Sequence, residues 1–366
     1  MSIFKQIKPN EPVAGLEGYF ISMYGQSKVG KTTFIYDLIK KHYNNDLSKA
    51  LILATEMGYK TLRGVHAMDI TGFEDPEVLA DNPDDQYLYG FGFIQAIDSL
   101  IEERSSIPYR LIIIDTLSAL QRYAGKYVAH NRSIKDEEVY ENIGDIGWGN
   151  GYNLLQEAIY EQIDRLKKAG FGVITISHDK TKTIKPKVGS EWDYTTLNLE
   201  SKVADIVVRE ADINMYAQLR TISGAGGTVR SERKLIMRSS GNIECGSRFK
   251  TMPDEMEFDA EVFLNEFKKA VNSLYDNDKE AIEAKIKEDE QDAQKKAMKV
   301  AKDQEVEKAD PKELHDKLTG LLKGSYNDRR KEMAEACLDI LGEKNYLNSL
   351  DIKKLNQLIG YLEERI

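Results

Sequence analysis

Between a β-branched and aromatic run, residues 18–24, and an apolar-periodic run, residues 33–39, stands Gly25-Gln26-Ser27-Lys28-Val29-Gly30-Lys31-Thr32-Thr33. This is the pattern G-x-x-x-x-G-K-[ST]. Its glycines let the backbone curl until several N–H groups face one anion, where a Cβ would block the approach. The run before it predicts a strand and the run after it a helix, whose positive N-terminal end faces the same anion. A strand feeding a helix through such a loop constrains the chain to an α/β architecture. In that setting Lys31 places a mobile charge on the β- and γ-phosphates of a nucleotide, and the Thr32 hydroxyl is placed to ligate Mg²⁺.

Further strands are expected to line up beside the first. Residues 50–55 are continuously apolar, as in a buried parallel strand, and end at Glu56. Ligands of such sheets sit at the carboxyl ends of the strands, so Glu56 belongs to the ligand edge. Residues 93–101 carry helical apolar spacing and lead into Leu111-Ile112-Ile113-Ile114-Asp115, four aliphatics closed by an acid. A carboxylate at that tip orders Mg²⁺, commonly through water. The next residue is Thr116 rather than Glu, so the water-activating carboxylate must come from elsewhere, and Glu56 is the best-placed candidate. Residues 171–180 form a third strand with a polar tip, which would hold Ser177 and His178 near the γ-phosphate as sensors.

Two stretches combine cations with aromatic rings. Residues 121–152 interleave Arg122, Tyr123, Lys126, Tyr127, His130 and Arg132 with later glycines and Trp148, and read as a loop followed by a helix. Such a mixture suits nucleic acid, and equally a helix-turn element packed against a neighbouring subunit. Residues 180–194 gather Lys182, Lys185, Lys187 and Trp192 without helical spacing, and are the expected single-stranded-DNA loop. Residues 204–209, 213–217 and 234–239 read as strands, with residues 224–227 as a glycine turn. Arg248 and Lys250 are cations within reach of a neighbouring subunit's γ-phosphate.

The 366 residues are enough for a full α/β core with a second small unit. An expected core spans residues 1–275, a charged linker or solvated helix 276–309, and a three-helix module 310–366. A net charge of −10 argues against general coating of nucleic acid, leaving a local basic element as the route to it. Two cysteines, no apolar leader and no run of bilayer length point to a soluble, cytoplasmic protein without membrane partners.

On the phosphate loop, Thr55-Glu56, Ile112 to Thr116, Ile176 to Lys180 and Ser247-Arg248-Phe249, the chain resembles the RecA-like ATPases. Within them it is similar to the phage single-strand annealing ATPases of the Sak group, AAA-type phage recombination ATPases. The likeness covers roughly residues 15–275. It implies an ATP- and Mg²⁺-dependent ATPase that forms rings or filaments and binds single-stranded DNA through loops after the second and third motif strands. It also implies that Glu56 is the catalytic carboxylate and Arg248 the finger acting in trans. Relatives often carry Lys two residues before that Arg; here Gly246 stands there, leaving Lys250 as the substitute. The C-terminal helices lie outside the likeness, with a single-stranded-DNA-binding protein as their expected partner. Competing readings are a hexameric helicase or translocase, and a nucleotide-switched assembly protein with protein partners.

Overall fold

The computed structural model describes residues 11–74, 90–223, 229–275, 278, 280–289, 291, 292, 295, 311–324, 330–341, 346–349 and 352–363. The acidic, turn-rich stretch 64–90 reads in the sequence as a surface connection rather than a core element, but His66–Gly72 forms a sheet strand paired in parallel with Ala50–Ala54. Residues 75–89, the glycine turn at 224–227 and most of the stretch 290–310 lie outside the described residues. The chain divides into two units, Met1–Ala297 and Met298–Ile366. Among the described residues no helix is long and apolar enough to cross a membrane.

The first unit is a helix-flanked sheet of mostly parallel strands. Its strands are β1 (Phe20–Gly25), β2 (Ala50–Ala54), β3 (His66–Gly72), β4 (Phe91–Gly92), β5 (Leu111–Asp115), β6 (Gly172–Ile184), β7 (Trp192–Leu197), β8 (Ile213–Ser223), β9 (Val229–Ile236), β10 (Gly246–Ser247) and β11 (Glu255–Glu257). Their order is β11-β9-β8-β1-β6-β5-β2-β3-β4, with β7 paired to β6 and β10 to β8. Every pairing from β8 to β4 is parallel, whereas β9 and β11 add antiparallel strands at the other edge. The central strands are buried on both faces, which is why they read as aliphatic runs rather than alternations.

Helices α1 (Lys31–His42), α2 (Phe93–Glu102), α3 (Leu117–Asp136), α4 (Asn150–Lys168), α5 (Ser201–Glu210) and α6 (Ala260–Leu274) cover the sheet. On one face Phe34, Ile35 and Leu38 of α1 meet Phe263 and Phe267 of α6 over Ile21, Met23, Ile174 and Ile176. Burial of each such side chain contributes roughly 1.5–3 kcal/mol. Beyond α6, residues 280–289 are helical. They are tied to the early chain by Asp289 Oδ2, which accepts the Ala14 amide at 3.0 Å, and by Lys285 between Glu11 and Asp289.

Three further expectations are corrected. Most of the loop expected at 121–152 is helix, since α3 runs to Asp136 and buries Leu120, Ala124 and Val128. The strand expected at 204–209 is α5, because Val203, Ala204, Ile206 and Val207 fall on one helical face. The loop expected at 180–194 is a β-hairpin, with β6 running on to Ile184 and pairing with β7 from Asp179↔Leu197 to Ile184↔Trp192.

In the second unit α7 (Pro311–Gly324), α8 (Arg330–Leu341) and α9 (Ile352–Glu363) enclose Leu314, Leu318, Cys337, Leu341, Leu355, Leu358, Ile359 and Leu362.

Candidate nucleotide site

The loop from Gly25 to Gly30 joins β1 to α1 at the carboxyl edge of the sheet. Gly30 sits at φ 105°, a conformation that strains any residue with a Cβ. A Cβ on Gly25 would lie 2.5 Å from the Ala217 carbonyl oxygen of β8. Gln26, Ser27 and Lys28 are exposed, while Val29 is buried and anchors the loop in the core. Lys31 is 6% exposed and donates to the carbonyls of Gly25 at 2.8 Å and Gln26 at 2.9 Å, folding back over its own loop. Burial pushes its ammonium below the ordinary lysine value, against the opposing pull of Asp179, Asp115 and Glu56. Thr32 and Thr33 follow in the first turn of α1, where backbone N–H groups lack helical partners.

Asp115 closes β5 next to this turn, and its Oδ2 accepts the Thr32 hydroxyl at 2.7 Å. It does not cap α3: Thr116 does, accepting the Ala119 amide at 3.1 Å. Asp115 is 3% exposed, and burial raises its carboxyl above the usual range, with the Thr32 hydrogen bond opposing and Glu56 reinforcing the shift. A buried carboxylate beside a threonine hydroxyl is an oxygen-only donor pair that suits Mg²⁺, whose remaining positions would go to phosphate and water. The residues present therefore fit the metal.

Glu56 stands at the tip of β2 beside them. Thr116 Oγ1 donates to its Oε1 at 3.0 Å, and His178 Nε2 lies 3.3 Å from both carboxylate oxygens. The other His178 nitrogen, Nδ1, is 3.2 Å from Ser27 Oγ in the phosphate loop. One imidazole thus spans the loop and the carboxylate. The β2 and β5 tips are laced beneath it: Thr55 N donates to Asp115 O, and Thr55 Oγ1 both donates to Thr116 O and accepts from Thr116 N, each at 2.8 Å. Lys31, Thr32, Glu56, Asp115 and His178 form a single cluster.

Ser177 does not join it. Side chains alternate along a strand, so Ser177 points to the face opposite His178, where it is fully buried. Arg248 and Lys250 also lie apart. Arg248 Nη1 pairs with Asp212 at 2.9 Å and Nη2 donates to Arg209 O at 2.9 Å. Asp212 accepts the Phe20 amide at the start of β1, which places Arg248 at the sheet edge opposite its own phosphate loop. Lys250 is exposed, with its backbone carbonyl accepting from Arg238. Lys182, Lys185, Lys187 and Trp192 are exposed on the β6–β7 hairpin, with Lys185 paired to Glu191 at 3.2 Å.

Several supporting residues were not singled out by motif reading. Ser118 Oγ accepts the His178 amide at 3.0 Å, and the Tyr216 hydroxyl holds Asp179 at 3.1 Å. Arg233 reaches back from β9 to the carbonyl of Val29 at 3.4 Å, a contact across 204 residues that no local pattern announces.

Comparison with known proteins agrees with this geometry. A family model described as an AAA domain matches residues 17–249. The chain is also 27% identical over 242 residues to the SPbeta prophage-derived uncharacterized protein YorG of Bacillus subtilis (strain 168), a match that covers 64% of this chain and 59% of that protein. The chain therefore spans under two thirds of this curated relative's length. With a phosphate loop, a metal-suited threonine and aspartate, and a polar strand tip on one mostly parallel sheet, the chain belongs to the AAA domain family.

Proposed function

We propose that the protein hydrolyses ATP and couples hydrolysis to single-stranded DNA, in phage-type recombination, annealing or replication. One observation carries the DNA half of this reading. Strand β6 runs unbroken from His178, in contact with Glu56 and Ser27, into the hairpin that carries the lysines.

Opposed residues of an antiparallel pair share a face, so Lys180, Lys182 and Ile184 lie with Thr196, Tyr194 and Trp192. Cations and rings on one face give phosphate contacts and stacking surfaces together, the combination that holds single strands. The opposite face carries Asp179, Thr181, Thr183, Asp193, Thr195 and Leu197 and offers neither.

At the nucleotide, the amides of the loop and of the first turn of α1 hold the phosphates, and Lys31 leaves its resting carbonyls to take up the β- and γ-oxygens. Thr32 and Asp115 would hold Mg²⁺, which would supply neutralisation of the phosphate charge. Glu56 accepts the proton of the attacking water, held in place by Thr116 and His178. Arg248 of one copy acts on the nucleotide of the next in a ring or filament, which requires it to leave Asp212.

The decisive measurement is ATP turnover with and without a single-stranded oligonucleotide, in the wild type and in Lys31→Ala. Turnover rises with DNA in the wild type and is lost in the variant, which lacks the charge-assisted phosphate contact. Unchanged turnover together with absence of salt-dependent DNA binding would move the hairpin to a protein partner.

A further inference from the structure

The polar tips named so far lie to one side of β1. In the strand order β9-β8-β1-β6-β5-β2, His178, Asp115 and Glu56 stand on β6, β5 and β2. A triphosphate seated in the loop after β1 with its γ end toward these groups must lead its nucleoside out on the other side, over β8 and β9. That side is furnished.

Ala217 of β8 and Leu235 of β9 face the α1 side of the sheet, in the core shared with Phe34 and Ile35. Two residues further along each strand, Leu219 and Arg233 oppose one another in the ladder and share that face. Leu219 is 45% exposed there. The Arg233 guanidinium lies 5.3 Å above the Phe258 ring, donates to the Val29 carbonyl, and sits 3.1 Å from where a Cβ on Gly30 would be. Phe258 is half-buried and packs on Phe34 at 5.1 Å, just past the phosphate-binding turn of α1. An exposed aliphatic, an aromatic ring and a planar cation thus meet at the outer rim of the loop.

We infer that Leu219, Arg233 and Phe258 form the shelf that receives the nucleoside end of the nucleotide. The base rests against Leu219 and the paired Phe258 and Arg233, whose flat guanidinium stacks on rings and donates in its own plane to ribose or base oxygens and nitrogens. The γ-phosphate end is read by β2, β5 and β6, the nucleoside end by β8 and β9. This inference rests on the nucleotide site proposed above.

Calorimetric titration with ATP and with inorganic tripolyphosphate, both with Mg²⁺, separates the two. The wild type binds ATP about 10-fold or more tightly than tripolyphosphate, which has no nucleoside. Arg233→Ala and Leu219→Ser, both at exposed positions, each weaken ATP by about 10-fold and leave tripolyphosphate within about 2-fold, with melting temperature unchanged. Wild-type ATP affinity in both variants overturns the shelf, as does an equal loss of both ligands, which would place Arg233 on the phosphates or the loop fold. A wild type that binds neither ligand removes the nucleotide site itself, and the shelf with it.

Discussion

Glu56 and Asp115 are two carboxylates at neighbouring strand tips, and their surroundings separate their roles. The Glu56 side chain is 41% exposed and receives donors from Thr116 and His178, an open position from which a carboxylate can take a proton. Glu56→Gln keeps the shape and loses the base, so turnover falls by about 10²-fold or more while calorimetric ATP affinity stays near wild type. Equal loss of both would make the residue a binding group. Asp115, buried and raised, binds its proton more tightly when folded than when unfolded. Such a group weakens the fold as pH climbs from the unfolded value of about 4 through the raised folded one. Asp115→Asn removes that cost and keeps an acceptor for Thr32. In chelator-treated, nucleotide-free protein, the melting temperature of the variant relative to wild type should therefore be higher at pH 7 than at pH 4. A difference that is constant or reversed would mean that Asp115 is paired more strongly than its contacts show. Both acids were legible in the sequence because each ends an aliphatic strand. Arg233 was not, since its partner Val29 is brought to it only by the antiparallel addition of β9 beside β8.

Elements differ in how plainly local pattern announces them. β1, β2 and β5 are buried on both faces, and α2 carries Phe93, Ala96, Ile97, Leu100 and Ile101 on one side, so period and composition agree with tertiary structure. The window 204–209 is rich in β-branched residues and too short to show its helical period; packing of Val203 and Val207 decides it as α5. The lysine stretch reads as loop because its strands mix lysines, threonines and rings without a clean apolar alternation, although Lys180, Lys182 and Ile184 alternate with Thr181 and Thr183. That alternation has a consequence for binding. Replacing Lys182, Lys185 and Lys187 by Ala should lower single-stranded DNA affinity and flatten its log–log salt slope by about 2, near 0.7 per lost phosphate contact. Trp192→Ala should weaken binding about 10-fold with little change in slope, since stacking releases no counterions. Thr183→Ala, on the other face, serves as the control. DNA affinity that depends on Thr183 and not on Trp192 would turn the hairpin over.

At the scale of the whole chain, the nucleotide cluster and the lysine hairpin share one unit. Every residue placed at the nucleotide lies within Met1–Ala297, while Met298–Ile366 has a hydrophobic core of its own. That core is small: Leu318, Leu355, Leu358 and Leu362 are fully buried at the meeting of three short helices. Removing one such leucine side chain costs about 2–5 kcal/mol, close to the whole stability expected of a unit this size. Leu355→Ala should therefore unfold the second unit within the full chain, seen as loss of a protease-resistant C-terminal fragment. If the unit serves docking rather than chemistry, ATP turnover of that variant, and of a chain ending at Ala297, stays within about 2-fold of wild type, because the side chains that hold phosphate, orient Glu56 and support the hairpin are all retained. A fall in turnover that tracks loss of the fragment would instead show that the small unit stabilises the assembled, hydrolysis-competent state, and would transfer part of the catalytic requirement from the sheet to the C-terminal helices.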